Sequence, residues 1–99
     1  MMRLIYLSEA RLEINEAGSY YRSISKELAS AFKQRLAAAL EDIRSNPETW
    51  RQLDEKYRRK LMQQFPYGVI YHVPKPDCVE VVAVMHCSRE PDYWRERSV

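Results

Sequence analysis

The sequence predicts a two-layer α+β fold: an antiparallel sheet covered by an N-terminal helical hairpin, in the order β-α-α-β-β-β, with a short C-terminal turn or helix. Three observations predict it. Apolar residues recur at helical spacing from about residue 10 to 43, extended apolar runs fill residues 57 to 86, and Asn46-Pro47 separates the two regimes. Amphipathic helices and half-apolar strands each have one face to bury, and packing them together makes a single domain over residues 1–99.

The elements follow in chain order. "RLIYL" (3–7) is a short apolar strand ended by Ser8, a plausible N-cap followed by Glu9, whose charge suits a helix N-terminus. Ala10, Ile14, Ala17, Tyr21 and Ile24 then recur at spacings of four and three, the buried face of a first helix. Leu12 and Tyr20 fall off that face. Gly18 weakens this helix by about 1 kcal/mol relative to alanine without ending it. Ser23 and Ser25 punctuate the chain, and Leu28, Phe32, Leu36, Ala39 and Ile43 line a second helix flanked by Leu40. A connection this short makes the helices an antiparallel hairpin.

After Trp50 and Leu53 the period changes. "YRRKLMQQF" (57–65) is extended, "PYG" (66–68) signals a turn, and "VIYHV" (69–73) alternates. "PKPD" (74–77) signals a second turn. "CVEVVAVM" (78–85) is almost continuously apolar and β-branched, which suits a strand in the middle of a sheet. Strands joined by such turns form an antiparallel meander.

Composition narrows the function classes. Apolar residues are 45% and charged residues 30%, a globular balance rather than a disordered one. No stretch approaches the roughly 20 apolar residues of a membrane span, and no signal-peptide pattern opens the chain, so a cytoplasmic protein is expected. Cys78 and Cys87, on one extended strand, would lie roughly 30 Å apart. A disulfide needs about 7 Å between Cα atoms, so both are expected as buried small apolar residues. Only two glycines occur, Gly18 and Gly68, so no phosphate-cradling loop is present, and no metal-ligand or nucleophile motif is found. No metal and no cofactor are therefore expected.

The net charge of +2 is small, but its cations cluster. Lys56, Arg58, Arg59 and Lys60 form one group, and Arg89, Arg95 and Arg97 another. Clustered cations are a footprint for an anionic partner, and equally an ordinary solvated surface. His86 closes the central strand, Arg89 follows it, and Tyr93 and Trp94 follow that. Such a histidine can move a proton near neutral pH, such an arginine can stabilise a phosphorane, and a tyrosine can stack on a base. The same residues have a structural use: His86 bonding a loop, Arg89 pairing with an acid, Tyr93-Trp94 sealing the core's edge.

The element order, with "FPYGVIYHV" (65–73), "VEVVAVMHCSREPDYWRER" (79–97) and "YYRSISKELASAFKQRLAAALEDIRSNPETW" (20–50), resembles the RelE/ParE family of bacterial type II toxin–antitoxin modules of the plasmid-stabilisation type. The resemblance implies a growth-inhibiting toxin neutralised by a cognate antitoxin, whose disordered C-terminal segment folds over the helical hairpin and sheet edge. Leu12 and Tyr20, off the buried face, are candidate antitoxin contacts.

The family has two modes of action. One branch cleaves mRNA on the ribosome without a metal; the ParE-like branch traps DNA gyrase on cleaved DNA. In the first, an arginine usually follows the aromatic that opens the strand at 69–73, where this chain has Gly68. Arg58, Arg59 and Lys60 partly fill the basic row of the preceding strand, Arg89 matches the arginine after the last strand, and Tyr93 lies near a stacking tyrosine. If the chain is a nuclease, its catalytic set is Arg59, His86, Arg89 and Tyr93. The incomplete set and the low charge favour gyrase poisoning, with mRNA cleavage as the alternative and an inactive, antitoxin-binding member as the third reading. Arg58, Arg59, Lys60, His86, Arg89, Arg95 and Arg97 are then expected to face the macromolecular target, with no membrane and no small-molecule substrate involved. The discriminating feature is whether His86 and residues 58–60 share one concave surface.

Overall fold

In the computed structural model, which describes residues 2–97, the chain runs β1 (Arg3–Tyr6), α1 (Ser8–Ile24), α2 (Lys26–Ser45), β2 (Arg51–Gln52), β3 (Arg58–Leu61), β4 (Tyr67–Lys75) and β5 (Cys78–His86). The strands form one sheet in the order β1-β5-β4-β3-β2.

The expected meander forms from β2 to β5, each neighbouring pair antiparallel. β1 departs from the all-antiparallel expectation and pairs parallel with β5, Arg3 against Cys78 and Tyr6 against Val81. The reason is topological. Parallel neighbours need a long crossover, and here the helical hairpin and the meander supply it. β2, two residues long, was not foreseen.

Helix ends differ in detail from the sequence expectation. Ser8 is the first residue of α1 rather than its cap, because Leu7 holds the cap position without a side-chain bond. Ser25 caps α2, its hydroxyl accepting the Leu28 N–H at 3.0 Å, and Asn46 ends that helix. The turn before β4 falls at residues 62–66, with Gln64 at φ 73, so Tyr67 and Gly68 belong to the strand. β4 likewise continues through Pro74, leaving Pro76-Asp77 as the turn.

The main core lies between the hairpin and one sheet face. Tyr21, Phe32 and Phe65 pack ring to ring with centroids 4.9–5.3 Å apart, beside Leu36, Ile43, Val69, Tyr71, Val79, Val81 and Val84. Ile24, expected on the buried face, is 57% exposed at the end of α1. The opposite sheet face carries a smaller core of Tyr57, Ile70, Val82, Ala83, Met85 and Trp94, covered by the C-terminal segment.

β5 carries a bulge. Tyr71 pairs with Val81 and Ile70 with Ala83, so Val82 is an extra residue, and Val82 and Ala83 both face the smaller core. A bulge re-aims backbone groups locally. Here it presents the Val82 carbonyl and the Val84 N–H on β5's outer edge, beyond the point where β1 has ended.

Candidate functional site

Glu13 sits on α1 three residues after Ala10 and four before Ala17, both buried, so helical geometry turns it toward the sheet. Its side chain is 10% exposed. There it meets the unpaired edge of β5. Oε1 accepts the Val84 N–H at 2.9 Å, and Arg97 donates to both carboxylate oxygens at 2.9 and 2.7 Å. The Arg97 guanidinium also donates to the Val82 carbonyl at 2.9 Å, and the Tyr93 hydroxyl donates a short bond to Oε2. One acid–guanidinium pair thus satisfies both edge groups that the bulge exposes and ties the C-terminal segment to α1. Burial first, and then the bond to Glu13, push the Tyr93 phenol above its ordinary ionisation range.

Arg89 approaches this carboxylate only loosely, at 3.9 Å, and lies over the Tyr93 ring at 3.8 Å with its side chain 53% exposed. His86 is half-buried. Its Nδ1 accepts the Ser88 N–H at 3.0 Å, and its ring meets the edge of Tyr67 at 5.1 Å. Together Tyr20, Tyr67, His86, Arg89, Glu13 and Glu16 line an open cleft of about 180 Å³ between α1 and the end of the sheet. Tyr20, expected to contact the antitoxin, and His86 and Arg89, expected to contact the target, therefore share one cleft. Leu12 is 57% and Tyr20 60% exposed.

The other expected cations do not join them. Arg58 donates to the Trp50 carbonyl at 2.9 Å, and Lys60 pairs with Asp42 at 3.6 Å while lying 3.7 Å over the Trp50 ring. Arg59 stands opposite Ile70 and so faces the other side of the sheet, where its stem crosses Gly68. A Cβ at Gly68 would stand 3.2 Å from both Cγ and Cδ of Arg59. The Arg59 Nε is buried without a partner. The cleft at His86 thus includes none of Arg58, Arg59 and Lys60, and Arg59 lies on the opposite face of the sheet.

Two arginines expected to face outward are tied to the protein itself. Arg97, its side chain 14% exposed, is held by Glu13. Arg95 bonds Asp54 at 2.6 Å and Asp92 at 2.7 Å while its guanidinium covers the Trp94 ring at 4.5 Å. Cys87 is exposed, against expectation, because β5 ends at His86 and leaves it in the following turn. Among the described residues no cluster of histidine, cysteine or acidic side chains is arranged to hold a metal, and no helix is long and apolar enough to cross a membrane.

Asp54 organises the loop before β3. The Tyr57 backbone N–H, then Arg95, then the Lys56 N–H hold its carboxyl down at about 2, against an ordinary 3.8. A depressed pKa contributes stability that is present above the ordinary value and lost as pH falls through the folded one. Asp54→Asn is therefore expected to flatten the fall of melting temperature between about pH 3.8 and about 2. Thermal melts across that window check it; an unchanged slope contradicts it.

Residues 4–91 match the family model described as ParE toxin of type II toxin-antitoxin system, parDE. Among solved structures, a chain from the chromosomal ParDE TA system of P. aeruginosa superimposes with a TM-score of 0.71 at 14% identity, covering 87% of this chain and 96% of that one. At that identity the likeness speaks for the fold. No curated protein matches the chain.

Proposed function

The chain belongs to the ParE toxin family of type II toxin–antitoxin systems, and from that premise we propose that it arrests growth by trapping DNA gyrase on cleaved DNA and is silenced by a cognate antitoxin. One observation carries this reading over mRNA cleavage: the cations that a nuclease would gather are dispersed. Metal-free RNA cleavage needs a base, an acid and cationic stabilisation around one phosphate. Arg58 and Lys60 are engaged with Trp50 and Asp42, and Arg59 lies on the far face of the sheet from His86. What remains together is His86 and Arg89 among Tyr20 and Tyr67, beside the carboxylates of Glu13 and Glu16. With Glu13 already paired to Arg97, Arg89 and Glu16 leave the cleft with no surplus of positive charge for a phosphate, which suits a protein surface.

The cleft is the target-docking patch in this reading, and the exposed Leu12 and Tyr20 on α1 are covered by the antitoxin in the silenced state. Purified chain incubated with gyrase, ATP and supercoiled plasmid, then treated with detergent and protease, is expected to yield linear DNA. Intact plasmid, together with cut mRNA on translating ribosomes, would overturn the proposal.

Arg89→Ala is expected to abolish growth inhibition while changing stability by no more than about 1 kcal/mol, since its contacts are exposed and loose. Growth curves after induction and a melting curve check the two halves; a fully toxic variant removes Arg89 from the site.

A further inference from the structure

The turn that ends β5 folds back on His86. The Ser88 backbone N–H donates to His86 Nδ1 at 3.0 Å, the Ser88 hydroxyl lies 2.8 Å from the same nitrogen, and the Arg89 N–H donates to the His86 carbonyl at 3.0 Å. A ring nitrogen that accepts an N–H carries a lone pair, so the neutral imidazole holds its proton on Nε2. Nε2, at the tip of the ring, has no partner among the described residues and is not a buried atom left unpaired, so it is open to solvent where His86 lines the cleft. The turn thus fixes His86 as a hydrogen-bond donor. Arg89 brings further donors to the same cleft. Its guanidinium lies 3.8 Å over the Tyr93 ring and approaches Glu13 only at 3.9 Å, where the carboxylate already accepts from Arg97, Tyr93 and Val84. Glu16 is engaged by no ion pair or hydrogen bond among the described residues, and it offsets the charge of Arg89. The cleft therefore offers donors without net charge, beside the rings of Tyr20 and Tyr67.

We propose that this cleft docks a loop of the target protein by one of its main-chain carbonyls, which accepts the Nε2–H of His86 and an N–H of Arg89, while Tyr20 and Tyr67 pack against the apolar atoms beside it. The inference rests on the gyrase reading above and adds the chemistry of the contact. A carbonyl oxygen has two lone pairs and so takes both donors. A carboxylate or a phosphate would meet Glu16 as a like charge, whereas a carbonyl meets no such repulsion.

The test has two arms. Long-range proton–nitrogen NMR of the native chain labelled at histidine, with the His86→Gln spectrum assigning the signal, is expected to show the Nε2–H tautomer at neutral pH. An Nδ1–H tautomer or an imidazolium overturns the inference, and this arm decides even where a variant fails to fold. The second arm reads binding to purified gyrase by calorimetry. Glutamine places an amide N–H near the position of Nε2 and asparagine near that of Nδ1, so His86→Asn is expected to bind at least about tenfold more weakly than His86→Gln. The ratio is expected to hold from low to high salt, because a neutral acceptor is not screened. If the native chain binds gyrase and the two variants bind alike, this inference fails and the gyrase reading stands. If the native chain does not bind gyrase, the gyrase reading fails and this inference with it. A ratio that collapses as salt rises marks a charged acceptor, a carboxylate or a phosphate, and likewise overturns it.

Discussion

Trp94→Ala is expected to destabilise the protein by about 3–5 kcal/mol, the usual range for deleting a buried large aromatic. Trp94 is 1% exposed and the largest fully buried side chain of the molecule. Its ring meets the edge of Tyr57 at 4.8 Å and is covered by Arg95, and its indole N–H donates to the Pro91 carbonyl at 2.8 Å. Removing it empties the centre of the second core, whose other buried members are Tyr57, Ile70, Val82, Ala83 and Met85. Little is available to collapse into that space. For a chain of this size each kcal/mol shifts the melting temperature by about 4–8 °C, so a fall of at least about 12 °C is expected. A variant that melts within a few degrees of the native chain would show that the C-terminal segment does not anchor the sheet's second face.

Glu13→Gln carries the second large effect, through charge rather than volume. The substitution preserves the side chain's shape but leaves the Arg97 guanidinium, largely buried, without its counter-charge. Removing one partner of a buried ion pair typically destabilises by about 3–5 kcal/mol, because the other charge stays desolvated. Losing Oε1 or Oε2 as a strong acceptor also weakens the bonds to Val84 and Tyr93. Arg97→Ala should be costly too, and the double variant should lose much less than the sum, since removing both charges relieves the mismatch. Additive losses would mean that the pair is not coupled. Tyr93 gives a spectroscopic check. Its raised pKa contributes stability present below the ordinary phenol value near pH 10 and lost as pH rises above it. Loss of Glu13 should bring its ionisation partway down; burial, the larger cause, remains.

Glu13 also marks where sequence patterning stops. The helical hairpin was legible because Ala10, Ala17, Tyr21, Phe32, Leu36 and Ile43 keep a helical period, and β5 because its apolar run has no competing signal. The parallel pairing of β1 was not, since a four-residue strand carries no mark of direction. Nor was the bulge at Val82: in "VVAV" every residue suits either face, so a one-residue slip leaves the pattern unchanged. For the candidate site, patterning gave residues but not their neighbours: Tyr20 lines one cleft with His86 and Arg89, a meeting the sequence did not signal, while Arg95 and Arg97, which look equally free in sequence, are consumed by Asp54, Asp92 and Glu13, distant along the chain or beside them. One signal was present for Glu13, an acid placed between two buried alanines on a core-facing stripe.

The separation of His86 from Arg59 supports a toxin that docks on a protein rather than one that cuts RNA. Pulse-labelling of DNA and protein synthesis in the minutes after inducing this chain without its antitoxin tests that claim most directly. The account predicts that DNA synthesis falls first while translation continues. A collapse of translation ahead of DNA synthesis would contradict it and return His86 and Arg89 to a catalytic role.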